Sequence, residues 1–218
     1  MNLTELTQEV YTLTNRADLV GETLTAIKAA TLRAHKIDFF YKDLKEQTLQ
    51  FAASDYYQIQ DISLLERFRA LKYARKYYPG VQDINQYNPT QLPPLQPFYD
   101  PGANLPDGKF FKILEPTDIL DSYGINRIDV AYAAGQSINF KSGDQFQTLL
   151  IGYYQYPDIT SAGYNSWIAR ESPYTIVFDA AAVVFKTIGY DEQVSTYNAL
   201  LQLEQNQLIL SNVKLQGE

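Results

Sequence analysis

The chain has 218 residues, 45% of them apolar, and a formal net charge of -7, so it is long enough to bury a core and too apolar to be disordered. Its 25 acidic residues outnumber its 18 basic ones, which disfavours strong direct DNA binding, because duplex affinity depends on clustered Lys and Arg. The sequence has no Cys. This excludes disulfides, thiolate catalysis and Cys-type zinc sites, and it fits a reducing compartment.

Neither a signal peptide nor a membrane span is predicted. The chain begins with an amphipathic segment, Leu3 to Leu13, that lacks a basic start followed by an apolar stretch, and no long apolar run occurs elsewhere. We expect a single domain over residues 1–218, since this length allows at most two.

Residues 1–37 predict a pair of helices. Apolar residues at steps of three and four form a first helix that ends near Asn15; they are Leu3, Leu6, Val10 and Leu13. Asp18 is predicted to cap a second helix. The inward face of this helix carries Val20, Leu24, Ile27, Thr31 and Ala34. Its last turn carries Arg33, His35 and Lys36, where positive charge favours the helix dipole.

Residues 44–78 form the first predicted β region. Leu44 to Ala53 and Tyr56 to Ile62 have the composition of two strands. Arg67 to Tyr78 is interpreted as a third strand, although its high charge leaves a helix open for this segment.

Residues 79–106 contain seven of the ten prolines, a composition that excludes a helix or a central strand. A loop of this length is unusual inside a compact domain unless it has a task. Because the segment carries Tyr87, Phe98 and Tyr99, we interpret it as an extended arm that lies on another surface.

Residues 126–156 form the second predicted β region, after a single helical turn that begins at Pro116. Strands are predicted at Ile128 to Tyr132, around Ile138 and Phe140, and at Phe146 to Tyr156. Turns are predicted at Gly135-Gln136 and at Ser142-Gly143-Asp144. The three strands would form an antiparallel meander.

Residues 164–212 predict a helical hairpin that completes a helical body with residues 1–37. Ser172 is a suitable N-cap, and Pro173 suits the first helical position. The helix that follows has only a narrow polar stripe, so we expect it to be buried on most sides. Gly189 is predicted to end this helix and Asp191 to cap the next, which runs to Leu210. The expected fold class is therefore α+β, a helical bundle with an inserted antiparallel sheet and a proline-rich arm.

Candidate catalytic residues are few. His35 is the only histidine, so any Ser-His-Asp site must use it; beside Arg33 and Lys36, it is interpreted instead as a helix-terminal residue. A cluster of carboxylates could act as acid and base in glycoside hydrolysis, although capping and solvation of a short turn explain it more naturally; its members are Glu115, Asp118, Asp121 and Asp129. We expect no enzyme activity, metal or cofactor.

Aromatic residues are the remaining candidates, since the chain has 18 Tyr and aromatic side chains concentrate in interface cores. Tyr153, Tyr154, Tyr156 and Trp167 either anchor a partner or cover the junction between the sheet and the helices. Both interpretations stay open for these four residues.

Several stretches, in this order, resemble head-tail adaptor (connector) proteins of tailed bacteriophages. They cover most of the chain and read LTQEVYTLTNRADLVGETLTAIKAATLRAHKIDFFYKDL, RFRALKYARKYY, ILEPTDILDSYG, VAYAAGQSINFKS, IGYYQYPDI and SWIARESPYTIVFDAAAVVFKTIGYDEQVSTYNAL. The layout is more distantly similar to that of podovirus tail tubular adaptors. The proline-rich insertion is less typical of the family.

The resemblance implies a structural protein of the virion neck, made in the cytoplasm of the bacterial host and without catalytic residues. Such a subunit forms a twelve-fold ring below the portal and joins it to tail or nozzle proteins, around a channel through which DNA passes without sequence-specific binding. No membrane is involved. A stopper or tail-completion protein is an alternative within the same class, and a carbohydrate-active enzyme is the alternative outside it.

Overall fold

The computed structural model describes residues 1–76, 110–120, 124–125 and 127–216. The predicted proline-rich arm over residues 79–106 and the carboxylate of Asp121 lie outside the described residues. The chain divides into two compact units. We call them the helical unit, Met1–Leu44 with Tyr154–Glu218, and the sheet unit, Lys45–Tyr153. The five helices and the five-stranded mixed sheet of these described residues confirm the predicted α+β class.

The helical unit contains five helices: α1 Leu3–Thr14, α2 Val20–Lys36, α3 Trp167–Glu171, α4 Pro173–Thr187 and α5 Asp191–Gln216. Helix α1 begins with a capping box, in which Asn2 and Glu5 satisfy each other's backbone N–H groups. It ends at Asn15, where prediction placed its end, in a left-handed conformation.

The start of α2 corrects one prediction. The helix begins at Val20 after Leu19, and no side chain caps it. Asp18, the predicted cap, instead pairs with Arg16 through two 2.8 Å hydrogen bonds. A guanidinium two residues away competes successfully for the carboxylate, because a bidentate ion pair is stronger than a single cap bond.

Helix α4 is the centre of the helical core, as its narrow polar stripe predicts. Ile176, Val177, Ala180 and Val184 are buried together with apolar residues of α1, α2, α3 and α5. Its polar residue Asp179 accepts two hydrogen bonds from Arg33 of α2, at 2.8 and 2.9 Å. The polar stripe therefore fixes α4 to α2.

The starts of the two hairpin helices, and the end of the second, differ in part from the prediction. Ser172 and Pro173 lie at the predicted positions, but the Ser172 hydroxyl bonds the hydroxyl of Thr175 at 3.0 Å and caps no backbone N–H. Asp191, the predicted cap of α5, is instead its first helical residue, and the helix continues past Leu210 to Gln216.

The sheet is built on its longest strand. The strands are β1 Leu44–Asp61, β2 Phe68–Lys76, β3 Lys112–Ile113, β4 Val130–Ala134 and β5 Ser137–Gln155. The order is β1-β5-β4-β3, and β2 also pairs with β5. Gly135, with φ of +60°, turns the chain from β4 into β5. The prediction of strand for residues 67–78 is confirmed over Phe68–Lys76.

The sheet is not purely antiparallel, and this corrects the prediction of an antiparallel sheet. Strand β3 runs parallel to β4, with Lys112 opposite Val130. The segment between these strands includes a 3₁₀ turn at Pro116–Asp118. The whole segment between β3 and β4 is long enough to return the chain to the same end of the sheet, as a parallel pair of strands requires.

Two predicted strand breaks are also wrong. Strand β1 runs through Ser54 and Asp55 without interruption. Strand β5 likewise runs through Ser142-Gly143-Asp144, where a turn was predicted. Here the Asp129 carboxylate accepts hydrogen bonds from the Ser142 hydroxyl and the Gly143 N–H, so turn-forming residues are held extended by a partner distant in sequence.

Aromatic rings fill the core of the sheet unit. Phe111 meets Phe140 and Phe146 edge to face, with centroids 5.8 and 5.4 Å apart. The ring of Tyr73 lies so close to Gly152 that a Cβ there would come within 2.4 Å of it. The phenol of Tyr73 hydrogen-bonds Glu46.

A buried lysine sits at the edge of this core. The Lys76 ammonium lies 3.1 Å from Asp129 and 3.2 Å from Asp144. Burial by itself would lower the pKa of Lys76, but hydrogen bonds to the two carboxylates raise it. Burial would likewise raise the pKa of Asp129, but hydrogen bonds from Lys76 and Gly143 hold it below its ordinary value. Asp129 is thus charged and held in place.

We expect Asp129→Asn to destabilise the sheet unit by about 2 kcal/mol, less than the loss of a fully isolated buried pair because Asp144 still faces Lys76. Asparagine tolerates the left-handed backbone found here, φ +53°. Since the folded pKa of Asp129 is lowered, its contribution is present above the unfolded carboxyl pKa and is lost as the pH falls through the folded value.

Urea unfolding of both proteins at pH 7 and at pH 3 measures this effect, with the exposed Asp118→Asn as the control. The gap between wild type and Asp129→Asn should narrow at pH 3. An equal gap at both pH values would contradict the assigned ion pair.

Candidate functional site

The most chemically suggestive cluster lies in the helical unit, around the single histidine. His35 Nδ1 lies 2.8 Å from Asp43 Oδ1, and His35 Nε2 lies 2.9 Å from the Ser166 hydroxyl. The indole N–H of Trp167 donates to the same Asp43 oxygen at 2.7 Å. We call these four residues the His35 network.

Three separate segments build the His35 network. His35 lies in the last turn of α2, and Asp43 ends the 3₁₀ turn Tyr41–Asp43. Ser166 is the N-cap of α3, where its hydroxyl oxygen accepts the N–H of Ala169 at 3.2 Å. A carboxylate only accepts hydrogen bonds, so Nδ1 of His35 carries a proton.

The order of contacts is that of a serine-hydrolase triad, with Asp43 orienting His35 and His35 facing a serine hydroxyl. A cavity of about 320 Å³ lies beside it. Its wall includes Ser166, Tyr164 and Arg170. In chemical terms, this arrangement would be able to remove the proton of Ser166 if a substrate carbonyl reached the hydroxyl oxygen.

Burial argues for a structural role. His35 is 1% exposed and Ser166 is 4% exposed, and the serine oxygen already accepts a cap hydrogen bond. The ring of Trp167 also meets His35 edge to face, with centroids 5.8 Å apart. The His35 network therefore ties the end of α2, the 3₁₀ turn and the start of α3 together.

Sequence analysis placed His35 correctly in the last turn of α2, but it did not find the partners of this histidine. They lie 8 and 131 positions away along the chain. Within the sequence, the only indication was a Ser directly before the single Trp, after the strand-ending residues Pro157 and Gly163.

Glu115, Asp118 and Asp129, the candidate carboxylates that the structure describes, are not gathered into a comparable site. Asp129 is paired with Lys76 as described above. Glu115 and Asp118 are exposed on the 3₁₀ turn, where the Asp118 N–H donates to the Glu115 carbonyl oxygen. In the parts of the chain that the structure describes, no group of three or more acidic or histidine side chains is placed to hold a metal ion.

The predicted interface aromatics are used inside the units. Tyr153 is fully buried, and its ring packs 5.5 Å from that of Phe68. Tyr154 is buried against Phe39. Tyr156 is half-buried beneath the Lys36 ammonium. Trp167 is half-buried in the His35 network, whereas Tyr87, Phe98 and Tyr99 lie outside the described residues.

Exposed apolar side chains occur elsewhere. On α5, Leu200, Leu203 and Leu210 are 37%, 61% and 61% exposed. The sheet unit exposes a second group along β1 and the turn after it: Tyr56, Tyr57, Ile59 and Leu64. Sequence analysis did not single out the α5 group.

No protein-family model matches the chain, and a search of curated proteins finds no match either. Among the residues that the structure describes, no helix combines the length and the apolarity needed to cross a membrane.

We expect His35→Leu to destabilise the helical unit by about 3 kcal/mol, because it leaves the Asp43 carboxylate buried with one donor fewer. Ser166→Ala should cost about 1 kcal/mol, since it removes a helix cap. The double variant His35→Leu with Asp43→Leu should recover part of the loss, because no buried charge is left without its partner.

Fluorescence of the single Trp during urea unfolding reports on this unit directly, with the exposed Ser161→Ala as the control. A His35→Leu protein as stable as wild type would contradict the structural role of the network.

Fluorophosphonate probes test the alternative, hydrolase-like interpretation. We expect intact-mass analysis to show no covalent adduct on the folded protein, because the Ser166 oxygen is buried and already bonded. Stoichiometric labelling of wild type that disappears in Ser166→Ala would identify an activated nucleophile and overturn the structural assignment.

Proposed function

We propose that this chain is a structural virion protein of a tailed phage. It would form a ring of twelve copies in the neck, dock on the portal, and join it to tail or nozzle proteins around the DNA channel. The subunit would be made in the bacterial host cytoplasm. A stopper or tail-completion role, one position further along the same neck, is the alternative.

The observation that carries this proposal is the apolar surface of α5. Leu208 is buried in the helical core, while Leu203 and Leu210 point away from it and are mostly exposed. The side of a helix that faces away from the core is normally polar, so exposed leucines on that side are unusual. The side with Leu203 and Leu210 therefore suits contact with another protein, and a ring subunit has such contacts with its neighbours.

The distribution of polar groups supports the same proposal. The triad-like residues and Asp129 are held in internal hydrogen bonds, whereas several large apolar side chains, Leu203 and Leu210 among them, are exposed. Apolar side chains that are exposed next to one another, as Leu200 and Leu203 are on α5, mark protein interaction sites. Among the candidate carboxylates that the structure describes, only Glu115 and Asp118, both exposed on a turn, are left for the carbohydrate-active alternative.

Mixing the purified subunit with the portal protein of the same phage tests the proposal. Analytical ultracentrifugation should show the subunit alone near its chain mass of 24.9 kDa, because a charge of -7 per copy opposes untemplated association. A ring of subunits should appear on portal particles in electron micrographs. A subunit that fails to bind portal at tens of micromolar would count against the adaptor role.

A further inference from the structure

The longest helix has two different apolar faces. Its inward face carries Val194, Tyr197, Leu201 and Leu208, which are buried or half-buried. Leu203 follows Leu201 by two residues, and Leu210 follows Leu208 by two. Two residues are about 200° around a helix, so Leu203 and Leu210 lie on the side opposite the core. Their 61% exposure agrees with this position.

The outward leucines follow a regular spacing. Leu200, Leu203, Gln207 and Leu210 are separated by three, four and three residues. We call these four residues the α5 seam. This spacing is that of the a and d positions of a heptad, which pack between the side chains of a facing element. A surface that contacts only solvent does not require this spacing.

The α5 seam lies in a helix surface with almost no charge. Between Gln193 and Asn212 the only charged residue is Glu204. Its carboxylate is half-buried and accepts a hydrogen bond from Ser172 at 3.4 Å, so it is directed toward the start of α4. Depletion of charge is typical of the core of an interface.

Charge also indicates which partner fits. Copies of a chain with a net charge of -7 repel each other wherever their acidic surfaces meet. A stripe of leucine and amide side chains is a surface on which two such copies can meet without that repulsion.

The size of the seam also bears on the kind of assembly. Three leucines supply only part of the ~800 Å² per partner that a specific interface buries, so a contact of this kind needs repetition around a closed ring.

We propose that the α5 seam is the subunit-subunit contact of the ring, and that it is occupied by the neighbouring copy of this chain. The proposal rests on the ring-forming function proposed above. Since a ring requires a heterologous contact, the seam of one copy packs on a different surface of the next. Each subunit is then held by two neighbours, and the small contact becomes stable only in the closed assembly.

Site-specific photocrosslinking identifies the occupant. With p-benzoylphenylalanine in place of Leu203, irradiation of rings assembled on portal should give a product of two copies, at twice the chain mass of 24.9 kDa. The same group in place of Asn198, which is exposed away from the seam, should give little of this product. A product of one copy with portal, or no product from position 203, would overturn the proposal.

Substitution gives an independent test. Leu203→Glu and Leu210→Glu should each lower the yield of ring on portal by about tenfold or more, since each contact then buries a charge and a tenfold loss needs only about 1.4 kcal/mol. Asn198→Glu adds the same charge on the same helix outside the seam and should assemble like wild type. All three variants should keep the far-UV circular dichroism and the unfolding midpoint of wild type, because the substituted side chains are exposed.

A wrong function and a wrong assignment of the seam give different results. If wild type forms no ring on portal, the adaptor function itself is wrong. If wild type forms rings and Leu203→Glu forms them equally well, the function stands and the assignment of the seam is wrong.

Discussion

The helical unit depends on one buried carboxylate, that of Asp43. This side chain is 7% exposed, and a charge so buried is tolerated only with good hydrogen-bond donors. Two of these donors, His35 and Trp167, come from opposite ends of the sequence, on either side of the residues that form the sheet unit. The need to satisfy Asp43 therefore brings two distant segments together and offsets part of the entropy of closing a long loop. The core around α4 can then form as one body.

Local signals in the sequence predicted the elements whose causes are local. Pro173 at a helix start, Asn15 at a helix end and Gly135 in a hairpin each act through their own backbone. Predictions failed where a distant partner overrides a local preference. Ser142-Gly143-Asp144 has the composition of a turn, yet Asp129 holds it extended. Asp18 is a good cap in isolation, but Arg16 binds it. The parallel pairing of β3 depends on the path of a whole segment and has no local signature.

The candidate site shows the same division. The sequence identifies His35 as the single imidazole and places it in the last turn of a helix, but the hydrogen bonds to Asp43 and Ser166 are a property of the tertiary fold. Conversely, the singled-out aromatic residues that the structure describes pack inside their units, as Tyr153 does against Phe68. The exposed leucines of α5 attract less attention in the sequence, because leucine is expected in any helix. What distinguishes them is the side of the helix on which they lie, and only the packed structure defines that side.

The close contact between Tyr73 and Gly152 has a consequence for how this chain can diverge. Any side chain at position 152 would collide with the Tyr73 ring, and moving that ring would also disturb its hydrogen bond to Glu46. We therefore expect substitutions at the two positions to occur together, with a smaller residue at 73 accompanying a larger one at 152. In related sequences this linkage would appear as correlated substitution between two strands far apart in the chain. It would provide a record of the sheet pairing that survives after overall identity has been lost.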